Sequence, residues 1–469
     1  MSDATLTAVS LFSGAGGLDV GAHEAGFRTL AAIEYEARYA QTLLDNAWLA
    51  TATPSEFERW FEAQVPKLGK TARQAAPLLR RRIRPAVGRP NAMSGCRVIN
   101  ADIADVDAAE LLEALHIPVG SLDLIVGGPP CQSFSKAGQR LSVEDLRGQL
   151  FLHFARFVRD MRPRWFLFEN VKGLTHSKAI RINALCGKCG PFSPSYELIV
   201  ADPEAETFPC PKCGGAAFVE ERMVDARGAL QVVLNEFELL GYHCYVDLVN
   251  AVDFGVPQSR ERLFILGSRD GERPLDLVPT HRLVPEEEER QLSFLHPDVE
   301  RRPAETVWGT LFAGRNNPYH HPEIDPEVAV LWVKNVVRPH DEPVTWDLRR
   351  PSPTIGAHQA AKLAIAPFGV PEEQLRRQQW HTKGRRQGDT PPVPVEHTYL
   401  SDEDLLMLQS FPPDWYIGGT RMERAFQIGN AVPPKLAAAV LRRIPGAQPV
   451  AMENDSFQGA ANIDEVVAG

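Results

Sequence analysis

Seven short apolar runs interleaved with helix-like text constrain this chain more than any other feature. They are Val9 to Phe12, "TLAAIE" ending at Glu34, "CRVINADI" (96–103), "SLDLIVGG" (121–128), "RWFLFENV" (164–171), "HCYVDLVNA" (243–251) and "RLFILGS" (262–268). Between them lie segments with helical spacing, such as "LDVGAHEAGF" and "DLRGQLFLHFARFVRDM". Strands that alternate with helices imply βαβ units, and hence an α/β fold with a mainly parallel sheet covered on both faces. The pattern lapses after about Gly267 and returns at "LSDEDLLMLQSF", where Ser401 is placed to cap a helix. A last helix, "PPKLAAAVLRRI", begins on proline.

Composition excludes several classes. The chain has 469 residues, 44% of them hydrophobic, and no apolar run approaches the ~18 residues of a membrane span. Its start lacks a charged segment followed by a greasy one, so a cytoplasmic location with no membrane partner is expected. Seven cysteines, an odd number, argue against a secreted disulfide framework. A net charge of −10 does not advertise a nucleic-acid binder, but the cations are unevenly spread. Between Ala63 and Ala101 there are nine basic residues and no acid. Such a run is either a solvated face or a phosphate contact.

The sheet has a natural place for ligands, the edge where parallel strands end. Gly14-Ala15-Gly16-Gly17 follows the first strand and opens a helix, but Asp19 takes the third glycine position of the dinucleotide pattern. Glu34 ends the second strand, where an acid can bind both ribose hydroxyls, and Asp102 ends the third. These parts suit an adenosine moiety without a diphosphate; a glycine turn used only for packing is the alternative. On the same edge, "GGPPCQSFS" mounts Cys131 on a stiff corner, as a nucleophile requires. Glu169-Asn170 closes the fifth strand, and Arg260 and Arg262 alternate with Glu261 so that both can face one side.

Six blocks in this order resemble the DNA (cytosine-5)-methyltransferases: "LFSGAGGLD", "GGPPCQSFS", "FENV", "QSRER", "RRPSPTI" and "QIGNAVPP". The resemblance implies a Rossmann-like sheet that uses S-adenosyl-L-methionine, a smaller target-recognition domain, and double-stranded DNA as substrate. It implies attack of the Cys131 thiolate on cytosine C6, which makes C5 reactive, while Glu169 gives a proton to N3. The base must leave the duplex to be reached. By the same resemblance Arg262 contacts the cytosine O2 and orients Glu169. Arg260 supports that pocket, and Asn170 holds the nucleophile loop, on which Gln132, Ser133 and Ser135 also lie. The cofactor pocket would be formed by Phe12, Ser13, Gly14, Ala15, Gly16, Gly17, Leu18, Glu34, Tyr35, Asp102, Ile103, Pro130, Leu150, Asn430 and Val432. The base that removes the C5 proton is not identified.

The resemblance sets the expected boundaries. Residues 1–275 form the catalytic domain, with a basic insertion at 50–97 and a cysteine insertion at 176–222. Residues 276–424 form the recognition domain, 425–445 return to the catalytic domain, and 446–469 form a disordered tail. The basic insertion is expected to contact the DNA backbone. Cys186, Cys189, Cys210 and Cys213 make two C-x-x-C knuckles separated by twenty residues, a spacing that fits a structural zinc site. Cys96 and Cys244 read as core residues. His320-His321 and Trp308, Trp332 and Trp346 fall in or near the recognition region. A restriction-modification or phage-defence setting is implied by the family, and a partner subunit that supplies part of the specificity is compatible with so short a region. Two alternatives are the transfer-RNA branch of the family, whose Cys-Phe-Thr tripeptide is absent from the target region, and a silent DNA- or cofactor-binding regulator. The regulator sits poorly with an intact Cys131, Glu169, Arg260 and Arg262.

Overall fold

A computed structural model of the protein describes residues 5–67, 76–130, 150–202, 204–225, 227–282, 302–311, 329–333, 345–356, 360, 363–367 and 398–449. Cys131, Gln132, Ser133 and Ser135, the pair His320-His321, and positions 450–469 of the tail lie outside the described residues, as do the side chains of Trp308 and Trp332.

All seven apolar runs enter one sheet. Its strands are β1 (Leu6–Leu11), β2 (Phe27–Glu34), β3 (Arg97–Asn100), β4 (Leu124–Gly127), β5 (Trp165–Val171), β6 (His243–Asn250) and β7 (Glu261–Ser268). The order is β6-β7-β5-β4-β1-β2-β3. Strands β1 to β5 are parallel, whereas β7 runs antiparallel to both β5 and β6. The expected mainly parallel sheet therefore ends in an antiparallel pair. The reason is the connection: ten residues join β6 to β7, fewer than a parallel crossover needs.

Ten helices matter for the site: α1 (Gly17–Glu24), α2 (Ala37–Leu49), α3 (Pro54–Gln64), α4 (Ala76–Ile83), α5 (Ala108–Ala114), α6 (Leu150–Met161), α7 (Ala229–Leu239), α8 (Asp402–Leu408), α9 (Arg421–Asn430) and α10 (Pro434–Leu441). Strand alternation splits the core between the two faces. Val9, Ile125 and Phe166 point towards α5, α6 and α7. Ala8, Leu124 and Trp165 point towards α1 and α10. The C-terminal helix thus returns beside the first one, as the block order implies. Ser401 does cap α8, accepting from the Asp404 amide at 3.1 Å, while Asp404 accepts from the Ser401 amide at 2.7 Å.

A third core cluster joins Ala15, Val20 and Leu43 to Leu331, Ile355 and Leu405. The described residues between 302 and 425 thus share a core with the glycine-loop side of the sheet.

The cysteine insertion folds as a separate four-stranded antiparallel sheet, in the order 190–192, 179–186, 216–225, 207–209. It brings the sulfurs of Cys186, Cys189, Cys210 and Cys213 within 4.8 Å of one another. Cys186 Sγ and Cys213 Sγ are 3.6 Å apart, too far for a disulfide. The insertion is anchored by its helix Tyr196–Ala201, whose first amide donates to Glu236 Oε2 at 2.8 Å. Cys96 and Cys244 are half-buried against apolar clusters, as expected. Among the described residues no helix is long and apolar enough to cross a membrane.

Candidate active site

The strand order reverses between β1 and β4, so a crevice opens at the carboxyl ends of these strands. The residues expected to hold the cofactor line up along it. Phe12, at the end of β1, has φ 56°, a left-handed conformation that is strained for an aromatic residue and recurs at ligand sites. Gly14 and Gly16 follow at φ 57° and 88°. The Gly14 amide donates to Glu34 Oε2 at 2.7 Å and the Glu36 amide to Oε1 at 2.8 Å. Each carboxylate oxygen keeps a second lone pair for a ligand hydroxyl. Burial pushes the Glu34 carboxyl up, against the pull of those two amides.

Tyr35 is exposed, and Asn100 Nδ2 ties the carbonyls of Glu34 and Tyr35 at 2.9 and 2.8 Å. Asp102 is exposed and accepts from the Ala104 amide, while Ile103 is buried below it. Ser13 and Leu18 are buried; Leu150, half-buried, begins α6. Val432 is buried with its carbonyl against Gly17, and Asn430 Nδ2 donates to the Tyr39 hydroxyl at 3.3 Å. The far end of the chain therefore reaches the glycine turn and α2.

Two features here escape the sequence reading, Trp415 and the burial of Asp19. Trp415 is buried, and its indole N–H donates to the Ala15 carbonyl at 3.1 Å. Asp19 is fully buried, and among the described residues neither of its oxygens reaches a hydrogen-bond partner. Burial pushes its carboxyl up to about 7, against the lowering influence of the Ser10 hydroxyl beside it.

On the other side of the crevice lies Glu169, the expected acid. Strand β7 must run antiparallel to deliver its first residues to the end of β5: Arg262 lies opposite Val171 and Phe264 opposite Glu169. Arg262 is then the diagonal neighbour of Glu169 on one face, and its Nε lies 3.0 Å from Glu169 Oε1. Both side chains are nearly closed to solvent, at 13% and 11%. Burial raises the Glu169 pKa, and this outweighs the lowering by Arg262 and Arg260. A carboxyl group held this way can keep a proton beyond the usual range. Asn170 Nδ2 donates to the Pro129 carbonyl at 3.2 Å, and Asn170 Oδ1 accepts from Val171. The segment leading to Cys131 is thereby tied to the strand that carries the acid.

Gly128 also escapes the sequence reading. A Cβ there would lie 2.6 Å from Glu169 Oε2, so only glycine lets the strand ends approach this closely. Gly128→Ala is expected to displace Glu169 and cost about 1–3 kcal/mol of stability by overpacking. Activity should fall more than stability; melting temperature and kcat measured together check this, and unchanged kcat in a folded variant would contradict it.

Arg260 is 2% exposed and is committed to backbone. Its Nη1 donates to the Ile355 carbonyl at 2.9 Å and its Nη2 to the Gly429 carbonyl at 3.1 Å. Burial lowers its pKa, yet the guanidinium keeps its proton. Beside it, Gln258 accepts from the Ile355 amide at 2.9 Å and donates to Gln409 Oε1 at 3.2 Å. "QSRER", "RRPSPTI" and "QIGNAVPP" thus meet in one buried polar hub. Arg260 pins the pocket from behind, while Arg262 faces the acid.

The basic insertion is only partly available for DNA. Arg80 pairs with Glu58 and Glu62, and Arg82 with Glu403. Arg81, Arg84, Arg89 and Arg97 are exposed.

Comparisons with known proteins place the chain in a family. The model of the C-5 cytosine-specific DNA methylase family matches residues 91–186 and 221–446, passing over 187–220, where three of the four clustered cysteines lie. The chain is 31% identical over 300 residues to the Type II methyltransferase M.AquIA of Picosynechococcus sp., covering 64% of this chain and 85% of that one. It is 25% identical over 453 residues to M1.HphI of Haemophilus parahaemolyticus, covering 94% and 87%. It is 26% identical over 462 residues to M.XorII of Xanthomonas oryzae pv. oryzae, covering 92% and 82%. With the matched segments spanning most of the sheet, the acid strand, the arginine strand and the returning helix, the chain belongs to the C-5 cytosine-specific DNA methylases and is a DNA (cytosine-5)-methyltransferase.

Proposed function

We propose that the protein methylates C5 of a cytosine flipped out of duplex DNA, through a covalent bond between Cys131 and C6, in a restriction-modification setting. The observation that carries this reading is the buried Glu169–Arg262 pair beside the Asn170 tether to Pro129, two residues before Cys131. The Cys131 thiolate adds to C6, its electron pair shifts the ring's double-bond electrons towards C5, and Glu169 supplies the proton that quenches charge on N3. Arg262 holds the carboxyl in place and presents its remaining N–H groups to the base O2. Once C5 carries the methyl group, N3 gives its proton back to Glu169, and loss of the C5 proton to a base re-forms the C5–C6 double bond as the C6–S bond breaks and the thiolate leaves.

The cofactor edge suits S-adenosyl-L-methionine. Glu34 offers acceptors for ribose hydroxyls, Phe12 and Tyr35 offer apolar faces, and the glycine turn leaves backbone open to the methionine part. When bound, the cofactor supplies the electrophilic methyl group. Incubating the protein with tritiated cofactor and mixed-sequence duplex DNA should yield labelled 5-methylcytosine. Label absent from DNA but present on RNA would overturn the DNA reading.

The four clustered thiols suit a structural zinc ion, whose tetrahedral bonds of about 2.3 Å place sulfurs about 3.8 Å apart. Metal analysis should find one zinc per chain, and chelation should lower the melting temperature. No bound metal in protein purified without chelator would refute the site. Arg81, Arg84 and Arg89 remain the candidates for DNA-backbone contact.

A further inference from the structure

We infer that Arg82, from the basic insertion, positions the cofactor loop by acting through Trp415. The guanidinium is buried, with its side chain only 8% exposed. Its Nη1 donates to the carbonyls of Pro413 and Trp415 at 2.8 and 2.9 Å, and its Nε lies 3.1 Å from Glu403 Oε1. A planar fork can hold two carbonyls and a carboxylate at once; an ammonium on a flexible stem cannot hold the same set in one geometry.

The segment so held carries Trp415, whose indole N–H donates to the Ala15 carbonyl at 3.1 Å. A Cβ added to Gly16 would lie 2.8 Å from the indole ring, so the ring also packs closely against the loop. Ala15 sits between the two left-handed glycines, the point where the loop has most freedom to lose. The other flank of Trp415 is fixed independently, the Tyr416 amide donating to Asn46 Oδ1 at 3.1 Å. A chain of direct contacts therefore runs from Arg82 to residues 413–415, to the indole and to the glycine turn. That turn keeps the Gly14 amide on Glu34. Neither Arg82 nor Trp415 lies on the catalytic side of the crevice, so the effect should fall on cofactor affinity more than on turnover.

The inference rests on the reading that this turn holds the adenosine cofactor. Its test uses the full chain, with S-adenosylmethionine affinity measured calorimetrically beside steady-state methylation. Trp415→Phe removes one N–H, and Arg82→Met removes the fork while keeping the stem. Both should raise the dissociation constant and KM for the cofactor about five- to thirtyfold, with kcat at saturating cofactor reduced far less and KM for DNA unmoved. Arg82→Lys should recover part of the loss. Amide exchange at residues 13–18 should quicken in both variants, with β4 and β5 unaffected. If Arg82→Met does not fold, Trp415→Phe carries the test alone. Folded variants that bind the cofactor like the parent chain overturn the inference. Weaker DNA binding with unchanged cofactor affinity would assign Arg82 to the DNA surface instead. A parent chain that binds no cofactor would sink the cofactor reading itself.

Discussion

The Cys131→Ala protein is expected to transfer methyl groups about 10⁴-fold more slowly than the parent chain, or more slowly still. Losing the thiol removes the only group in the account that can add to C6, and without that addition C5 stays a poor nucleophile. No other described side chain can substitute. The remaining cysteines outside the thiol cluster are Cys96 and Cys244, where burial pushes the thiols far up and keeps them inert. Cofactor binding should largely survive, because most of its expected residues, Phe12 to Leu18, Glu34, Tyr35, Asp102 and Ile103, lie on the β1–β3 side of the crevice. Binding measured by calorimetry alongside methylation separates the two. A variant that binds cofactor and still methylates at a tenth of the parent rate would contradict the assignment.

Glu169→Gln is the second large effect, a fall of about 10²- to 10⁴-fold in kcat, the range for loss of a general acid. An amide fills the same space and can donate a hydrogen bond to N3, but it cannot give up the proton. It also leaves Arg262 as a nearly buried cation without its partner. The pH profile distinguishes this from simple misfolding. Glu169 must be protonated to act, and burial raises its pKa. Its contribution is therefore fully present at pH well below that raised value and is lost as pH rises through it. The thiolate requirement has the opposite sign, so the parent profile is bell-shaped. In Glu169→Gln the alkaline limb due to this carboxyl should disappear. A variant that retains the same alkaline fall would place the acid elsewhere.

How much of this was legible in the sequence follows from how local each signal is. The seven strands could be read because each is a short apolar run whose residues and turn lie within about ten positions. Strand direction could not: an apolar run looks the same both ways, and β7 reverses because of the length of its connection. The cysteine knuckles carry their spacing in the text, and the structure brings the four sulfurs together. Glu169 and Arg262 sit 93 positions apart, and it took the family's block order to pair them.

Contacts without a local pattern were missed or misjudged. Trp415 meets Ala15 across 400 positions, and Gln258 meets Ile355 across 97. Gly128 carries no local signal of its role, yet its lack of a side chain makes room for the Glu169 carboxyl. The basic run is acid-free in sequence but not in space. Glu58 and Glu62 lie just before it and Glu403 far beyond it, and the fold returns all three to Arg80 and Arg82.

The most direct test of the central claim is intact-mass analysis of the protein after reaction with cofactor and a duplex carrying 5-fluorocytosine in its target site. Fluorine cannot leave C5 as a proton does, so elimination of the thiolate is blocked and the intermediate accumulates. The expected product is a species with the mass of protein, DNA and one methyl group, mapping to Cys131 on digestion and absent from Cys131→Ala. Methylation of ordinary cytosine with no trapped adduct, or an adduct that persists in Cys131→Ala, would contradict it.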